Sequence, residues 1–310
     1  MLLRQAFQHV SSFPTSILTA LLAYFSEIFD EMQKRDATAA ATLLSEKREY
    51  EEFATKFEAA TNAEIARLEA LTRERYDQRE ELLEKSSRLA KRIDDKLPEY
   101  FSLLPRLPYG IKPIPAAEAE GTTTAYYGPG APEAGISGTY WVNTSKLDQR
   151  PFWELPALTA HEAVPGHHLQ LSVQTGLGDM PPFRRFGGVT AYSEGWGLYT
   201  EELGKDMGFY TDPYSDFGRL QMELWRAGRL VVDTGLHHKR WSRERAIQYL
   251  ADNTPNPEGD IRKAIERYVV YPGQATAYTI GKLKIMELRA LARSELRGRF
   301  DIREFHETIL

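Results

Sequence analysis

The side chains with most chemistry to offer crowd into one stretch of the chain. Five of the seven histidines (His161, His167, His168, His237 and His238) and all five tryptophans fall between residues 141 and 241. The densest point reads Thr159-Ala-His161-Glu162-Ala-Val-Pro165-Gly166-His167-His168-Leu-Gln170. It begins as the HExxH helix does, in which two imidazoles one turn apart hold a zinc ion and the glutamate between them takes a proton from the zinc-bound water. The fifth position is Pro165 rather than histidine, so the second imidazole must be found another way.

Two geometries supply it. On an unbroken helix His168 lies seven residues after His161, on nearly the same face but about 10 Å further along, which is wide for two ligands of one ion. A two-residue bulge at Val-Pro-Gly instead brings His167 to the second-histidine position, and Pro165 gives a reason for it because it has no N–H to donate and crowds the preceding turn. His167 is therefore preferred to His168 as ligand, and the other imidazole is left to support the site or touch the substrate. A catalytic zinc takes three protein ligands and keeps a place for water. The third candidate is Glu194, in Ser193-Glu-Gly-Trp-Gly-Leu-Tyr-Thr-Glu-Glu-Leu203; its bland alternative is a carboxylate favoured by the dipole at a helix start.

Hydrolysis at such a centre needs a second group to hold the developing oxyanion. Tyr278 is the first choice, with Tyr271 and Tyr268 as alternatives and His237 as a partner. Gln274, close behind Pro272-Gly273, is a candidate for a substrate backbone contact. Arg226, Arg229 and Asp233 share one helix face. An arginine there suits a substrate carboxylate, and Asp233 suits the orientation of a ligand histidine; an ion-pair ladder between helices explains the three equally well. Tyr126, Tyr127 and Trp141 lie on a predicted hairpin whose Thr122–Tyr127 edge suits strand addition by a peptide.

The elements that must position these groups are mostly helical. The first 109 residues contain no glycine, and from Pro14 to Pro98 there is neither glycine nor proline between. Phe53, Phe57, Ile65, Leu68, Leu71, Leu82, Leu89 and Ile93 recur at helical spacing among charges, which predicts long amphipathic helices over an N-terminal region 1–97. Prolines then make an extended connection, two short strands follow at Thr122–Tyr127 and Gly138–Asn143, and helices return from Glu154, the first reaching Thr175. Asp212 and Ser242 are predicted N-caps. The final helix runs to Leu310 without a stop signal, which suggests a chain cut short.

Composition excludes several function classes. The 310 residues are 42% hydrophobic and 27% charged, as in a folded globular protein, and carry a net charge of -5, so there is no basic field for nucleic acid. The absence of cysteine excludes thiol nucleophiles, cysteine-held metals and a lipid-anchored cysteine within this sequence. No apolar run reaches the roughly 20 residues of a membrane span; Ile17–Phe29 comes nearest and reads as an amphipathic helix. A cytoplasmic location is expected, with the periplasm or secretion as alternatives.

Longer motifs carry a family resemblance. Leu103-Pro-Arg-Leu-Pro-Tyr-Gly-Ile-Lys-Pro, Thr123-Thr-Ala-Tyr-Tyr, the His161–Gln170 and Ser193–Tyr199 segments, Trp225-Arg-Ala-Gly-Arg-Leu-Val-Val-Asp-Thr-Gly-Leu-His237 and Tyr271-Pro-Gly-Gln-Ala-Thr-Ala-Tyr278 occur in that order. From about Arg75 to Leu310 the chain resembles the bacterial family catalogued as domain of unknown function 885. Its members look like distant relatives of the glutamate-zincin metallopeptidases, a mostly helical group that includes thimet oligopeptidase, carboxypeptidase Taq and angiotensin-converting enzyme. The resemblance implies a zinc site with His161, His167 or His168, and Glu194 as ligands and Glu162 as base. Members run past the place where this chain stops.

The expectation is a mainly α, zincin-like metallopeptidase fold in which residues 98–310 form the catalytic helical domain, with a small β-hairpin or sheet beside an active-site cleft. It binds Zn2+ and hydrolyses peptide bonds; its partners are a peptide or small amide, with no nucleic acid and no membrane, and its oligomeric state is open. The rivals are a non-catalytic helical binding protein that keeps the fold, which Pro165 favours, and a zinc hydrolase of a non-peptide amide.

Overall fold

The computed structural model describes residues 77–310, apart from 179, 180 and 186, with scattered helical positions between 52 and 74. The chain falls into two compact units, 1–76 and 77–310. The predicted stripe from Phe53 to Leu71 and the Ile17–Phe29 segment lie outside the described residues, except as those scattered positions. Its later members follow the prediction: Leu82 and Ile93 are buried, and Leu89 packs beside the core.

Among the described residues of the second unit the architecture is mainly helical. Helix α1 covers residues 77–94, followed by α2 (Leu155–Glu162), α3 (His167–Gly176), α4 (Thr190–Asp206), α5 (Pro213–His237), α6 (Arg243–Asn253), α7 (Glu258–Val270), α8 (Gln274–Leu296) and α9 (Ile302–Ile309). The predicted caps are in place. The Asp212 carboxylate accepts from the N–H groups of Tyr214 and Ser215, and the Ser242 hydroxyl accepts from the N–H of Arg245. Gly273, at φ +81°, occupies the left-handed position in which the Pro272-Gly273 turn delivers the chain into α8.

A three-stranded sheet lies ahead of α2. Strands β1 (Tyr109–Pro113), β2 (Ala125–Gly128) and β3 (Gly138–Val142) run in the order β1-β3-β2, with β3 parallel to β1 and antiparallel to β2. Tyr127 faces Tyr140 and Tyr126 faces Trp141, so the expected hairpin pairing is present. The third strand is a departure from the proline-rich connection that the sequence predicted. The prolines punctuate rather than fill it: Tyr109 to Lys112 is free of them, and Pro113 stands at the end of an edge strand, where a missing N–H is tolerated.

The helices that matter for the site meet without side chains between them. A β-carbon on Gly195 of α4 would lie 2.4 Å from the Gly281 Cα of α8, and one on Gly281 would lie 1.7 Å from the Ala191 carbonyl oxygen. Only glycine permits backbones this close. Around that crossing Trp196, Tyr199, Leu203 and Ile285 join Ile93, Phe101, Leu169 and Phe305 in the main core, while Trp225, Val232, Leu250, Ile265 and Tyr268 pack a second one between α5, α6 and α7. Burying each such side chain is worth about 1.5–3 kcal/mol against leaving it exposed.

Candidate metal centre

The predicted helix from Glu154 to Thr175 is two helices. Helix α2 stops at Glu162, residues 163–166 turn, and α3 starts at His167. The turn contains a cis Val164–Pro165 peptide. At Gly166 the backbone folds back onto the end of α2, where a β-carbon would lie 1.8 Å from the His161 carbonyl oxygen and 2.4 Å from that of Ala160. The Trp196 indole N–H donates to the Pro165 carbonyl at 2.9 Å and fastens the turn to α4.

This break delivers His167 to His161. Their rings stand perpendicular with centroids 4.8 Å apart. Glu194, on the first turns of α4, places Oε2 3.6 Å from His161 Nε2 and 3.5 Å from His167 Nε2. One ligand atom from each of the three residues lies within 4.8 Å of the others, a donor set of the size and type that holds zinc. Burial is graded: the His161 side chain is 3% exposed, against 14% for His167 and 17% for Glu194.

Two of the three donors, His161 and Glu194, are held from behind. His161 Nδ1 lies 2.7 Å from Glu201 Oε1, a hydrogen bond that fixes the tautomer and leaves Nε2 facing the other two donors. Glu201 is itself buried and lies 3.4 Å from the Arg226 guanidinium. Gly197 makes room for the imidazole, since a β-carbon there would lie 2.6 Å from His161 Cε1. The Gln274 amide donates to Glu194 Oε1 at 3.2 Å and to the Tyr278 hydroxyl at 3.3 Å. Because a carboxylate only accepts, the amide nitrogen must face it, and this orientation makes the Tyr278 oxygen an acceptor whose own proton is free for another partner. The Tyr278 ring stacks 6.1 Å from that of His161.

The electrostatics follow from this packing. Burial opposes a charge on His161, but the Glu194 and Glu201 carboxylates outweigh it and push its pKa up to about 10, with Glu162 adding to their field. Burial likewise opposes the Glu194 charge, and His161 and His167 override it and hold that carboxyl well below the usual range. A metal ion held by His161 would take the place of that proton.

Other predicted site residues are engaged elsewhere. His168 is buried, its Nδ1 accepts from the Tyr127 hydroxyl at 2.8 Å, and burial lowers its pKa to about 4. It is a neutral tether between α3 and the sheet, so Tyr127, expected to contact substrate, spends its hydroxyl on this tether. His237, expected beside Tyr278, instead donates from Nε2 to the Tyr268 carbonyl at 2.8 Å and ties the end of α5 to α7. Asp233 accepts the Gly273 N–H at 3.2 Å and caps the start of α8 rather than orienting a histidine. Arg226 is committed to Glu201, which leaves Arg229 as the arginine without a carboxylate contact in this pair. Tyr271 is exposed, and Tyr268 is buried.

Glu201 is the member that sequence reasoning missed. Its signal was the spacing: seven residues after Glu194 on the same helix is two turns along one face. Cavities of about 530 Å³, between Tyr100, Asp206, Arg289 and Arg293, and 450 Å³, between Lys85, Arg92, Trp153 and Tyr214, lie away from the three donors.

Fold and site together define a mainly helical protein in which a partly buried His-His-Glu cluster forms at the junction of a broken helix with α4 and α8. The chain belongs to the family described as bacterial protein of unknown function (DUF885), which matches residues 20–310. It is similar to a crystal structure described as "the putative lipoprotein from Colwellia psychrerythraea", at 41% identity and a TM-score of 0.73 over 75% of this chain. The chain spans only 40% of that protein's length. A structure described as a "putative lipoprotein of unknown function from Shewanella oneidensis" shares the fold, with a TM-score of 0.57 at 17% identity, over 94% of this chain and 68% of that one. No curated protein is significantly similar. Among the described residues no helix is long and apolar enough to cross a membrane.

Proposed function

We propose that this chain carries the metal site of a zinc-dependent peptidase with a zincin-like helical fold. The observation that carries the proposal is the convergence of His161, His167 and Glu194 within 4.8 Å, with Glu162 following the first ligand and Glu201 hydrogen-bonded behind it. Two imidazoles, one of them backed by a carboxylate, and one carboxylate ligand make a donor set that suits zinc and leaves a coordination place open. Zinc there would polarise a substrate carbonyl and lower the pKa of water.

The chain's own residues supply the rest. Glu162 takes the proton of the attacking water and returns it to the leaving amine. Tyr278, whose oxygen already accepts from Gln274, directs its proton to the oxyanion. Gln274 acts as a positioning residue for Glu194 and Tyr278. Hydrolysis of a non-peptide amide would use the same groups. The names of the two similar structures support an extracytoplasmic setting over the cytoplasmic one first expected.

Elemental mass spectrometry of the purified, unchelated chain tests the reading. The expected result is about one zinc per chain, lost in His161→Ala; no metal even after zinc is added back refutes it. Glu162→Gln should then keep zinc and lose peptide hydrolysis by at least about 10²-fold, the usual scale of a general base.

A further inference from the structure

Arg229 is the charged group near the centre for which the reading above has no use. It lies three residues after Arg226 on the same face of α5. Arg226 pairs through Nη2 with Glu201 at 3.4 Å, although its own Nε is also buried without a hydrogen-bond partner, whereas Arg229 has no carboxylate partner and is ringed by aromatics, with its guanidinium carbon 4.6 Å from the Tyr278 ring centre, 5.6 Å from that of Tyr268 and 5.8 Å from that of Trp225. Its Nε is buried without a hydrogen-bond partner, and so is the neighbouring Tyr268 hydroxyl. The Tyr278 hydroxyl accepts a hydrogen bond from the guanidinium, and Glu194 acts on it across the site without pairing. A cation held among rings, with two unmet donors beside it, is an arrangement that an anion from outside completes. The Nε edge of a guanidinium, paired with one Nη, is the fork that matches a carboxylate.

We infer that Arg229 receives the C-terminal carboxylate of a peptide substrate, so that the chain works from the C-terminal end; the cleavage part of this rests on the peptidase reading. The Tyr278 ring centre is 4.6 Å from the guanidinium and 6.1 Å from the His161 ring, so anchor and metal ligand are at most about 11 Å apart. An extended peptide covers about 3.3–3.6 Å per residue, so this separation suits a released fragment of about one to three residues. Water adds across the scissile C–N bond: its oxygen joins the carbonyl carbon, one proton goes to the leaving nitrogen and the new carboxyl group keeps or loses the other.

The test needs no turnover. Acetyl-tetra-alanine and its C-terminal amide are titrated into the zinc-supplemented full chain carrying Glu162→Gln, by calorimetry. The acid should bind at least tenfold more tightly than the amide, and adding Arg229→Gln should erase that preference. Equal binding of acid and amide, or binding of neither at millimolar concentration, with Arg229 intact overturns the assignment, and this comparison stands even if the arginine variant fails to fold. With Glu162 restored, mass spectrometry of a longer peptide should show loss of one to three C-terminal residues; internal cuts overturn the C-terminal mode. Preference for the acid without any hydrolysis would support the anchor and refute the peptidase reading.

Discussion

Replacing Gly197 by alanine tests the geometry of the centre through a residue that offers no donor. The added β-carbon would lie 2.6 Å from His161 Cε1, 2.7 Å from Nε2 and 2.9 Å from Nδ1. Carbon pairs rest at about 3.5–4.0 Å, so the imidazole has to retreat by about 1 Å. It has little freedom to do so, because Nδ1 is held by Glu201 at 2.7 Å and the side chain is almost sealed. Ligand distances in a working site hold to about 0.2 Å, and disturbing a ligand's support costs about 10–100-fold in metal affinity. On stability two terms oppose: alanine gains about 1 kcal/mol over glycine in a helix interior, and overpacking costs about 1–3 kcal/mol. The metal-free variant should therefore be destabilised by about 0–2 kcal/mol in urea, while its zinc affinity, measured against a competing chelator, falls by one to two powers of ten. Gly259→Ala in α7, where a β-carbon meets nothing within 4 Å, is the control and should leave zinc affinity untouched. Unchanged zinc affinity in Gly197→Ala would refute the placement of His161 as a ligand against α4.

Three further expectations follow from the same structure. His167→Ala should abolish zinc binding, whereas His168→Ala should retain it and lose stability; zinc retained in the first or lost in the second, as read by metal analysis, reverses the assignment. Glu201→Gln should keep the fold, with an unchanged circular dichroism spectrum, and weaken zinc by about 10–100-fold, since the amide can still accept from Nδ1 but no longer carries the charge; wild-type affinity would remove Glu201 from the site. For the metal-free chain, urea unfolding should give a stability maximum near pH 6.5. His168 and His306, each lowered to about 4 by burial, contribute stability that is full above pH 6.5 and lost as pH falls towards 4, by about 3 kcal/mol each. His161, raised to about 10, contributes stability that is full below pH 6.5 and lost as pH rises towards 10, so a flat profile would contradict both directions.

What the sequence made legible was local. The helix caps at Asp212 and Ser242 are set by residues within three positions of each other, and both were read correctly. Pro165 pointed to His167 rather than His168 because proline's effect on a helix is also local, although a bulge was expected where the chain breaks and turns. The misreadings concern partners distant in sequence. His237 was drawn to the centre by residue type alone, and its contact with the Tyr268 carbonyl depends on how α5 packs on α7, which spacing does not encode. Asp233 was offered the role that Glu201 takes, because both are carboxylates on helices near the motif and only the crossing of α2 with α4 distinguishes them. The strand at Tyr109–Pro113 was hidden by prolines that in fact flank it.

A structural alternative must explain why so much packing is arranged around these donors. An ion-pair network that merely staples helices is satisfied when charges and donors match. Here three carboxylates, Glu162, Glu194 and Glu201, surround His161 while the arginine nearest to them is committed to one, and the histidine has to hold a proton to balance the others. Glu201 Oε2 remains buried without a hydrogen-bond partner. Backbone contacts that tolerate no β-carbon occur at Gly166, Gly195 and Gly281 around the same point, and each gives up the side-chain packing that stabilises a core. A network built for stability would be cheaper with apolar residues of similar volume. A dication at the convergence of His161, His167 and Glu194 would replace the proton, balance the excess carboxylate charge and give the three close approaches a common purpose.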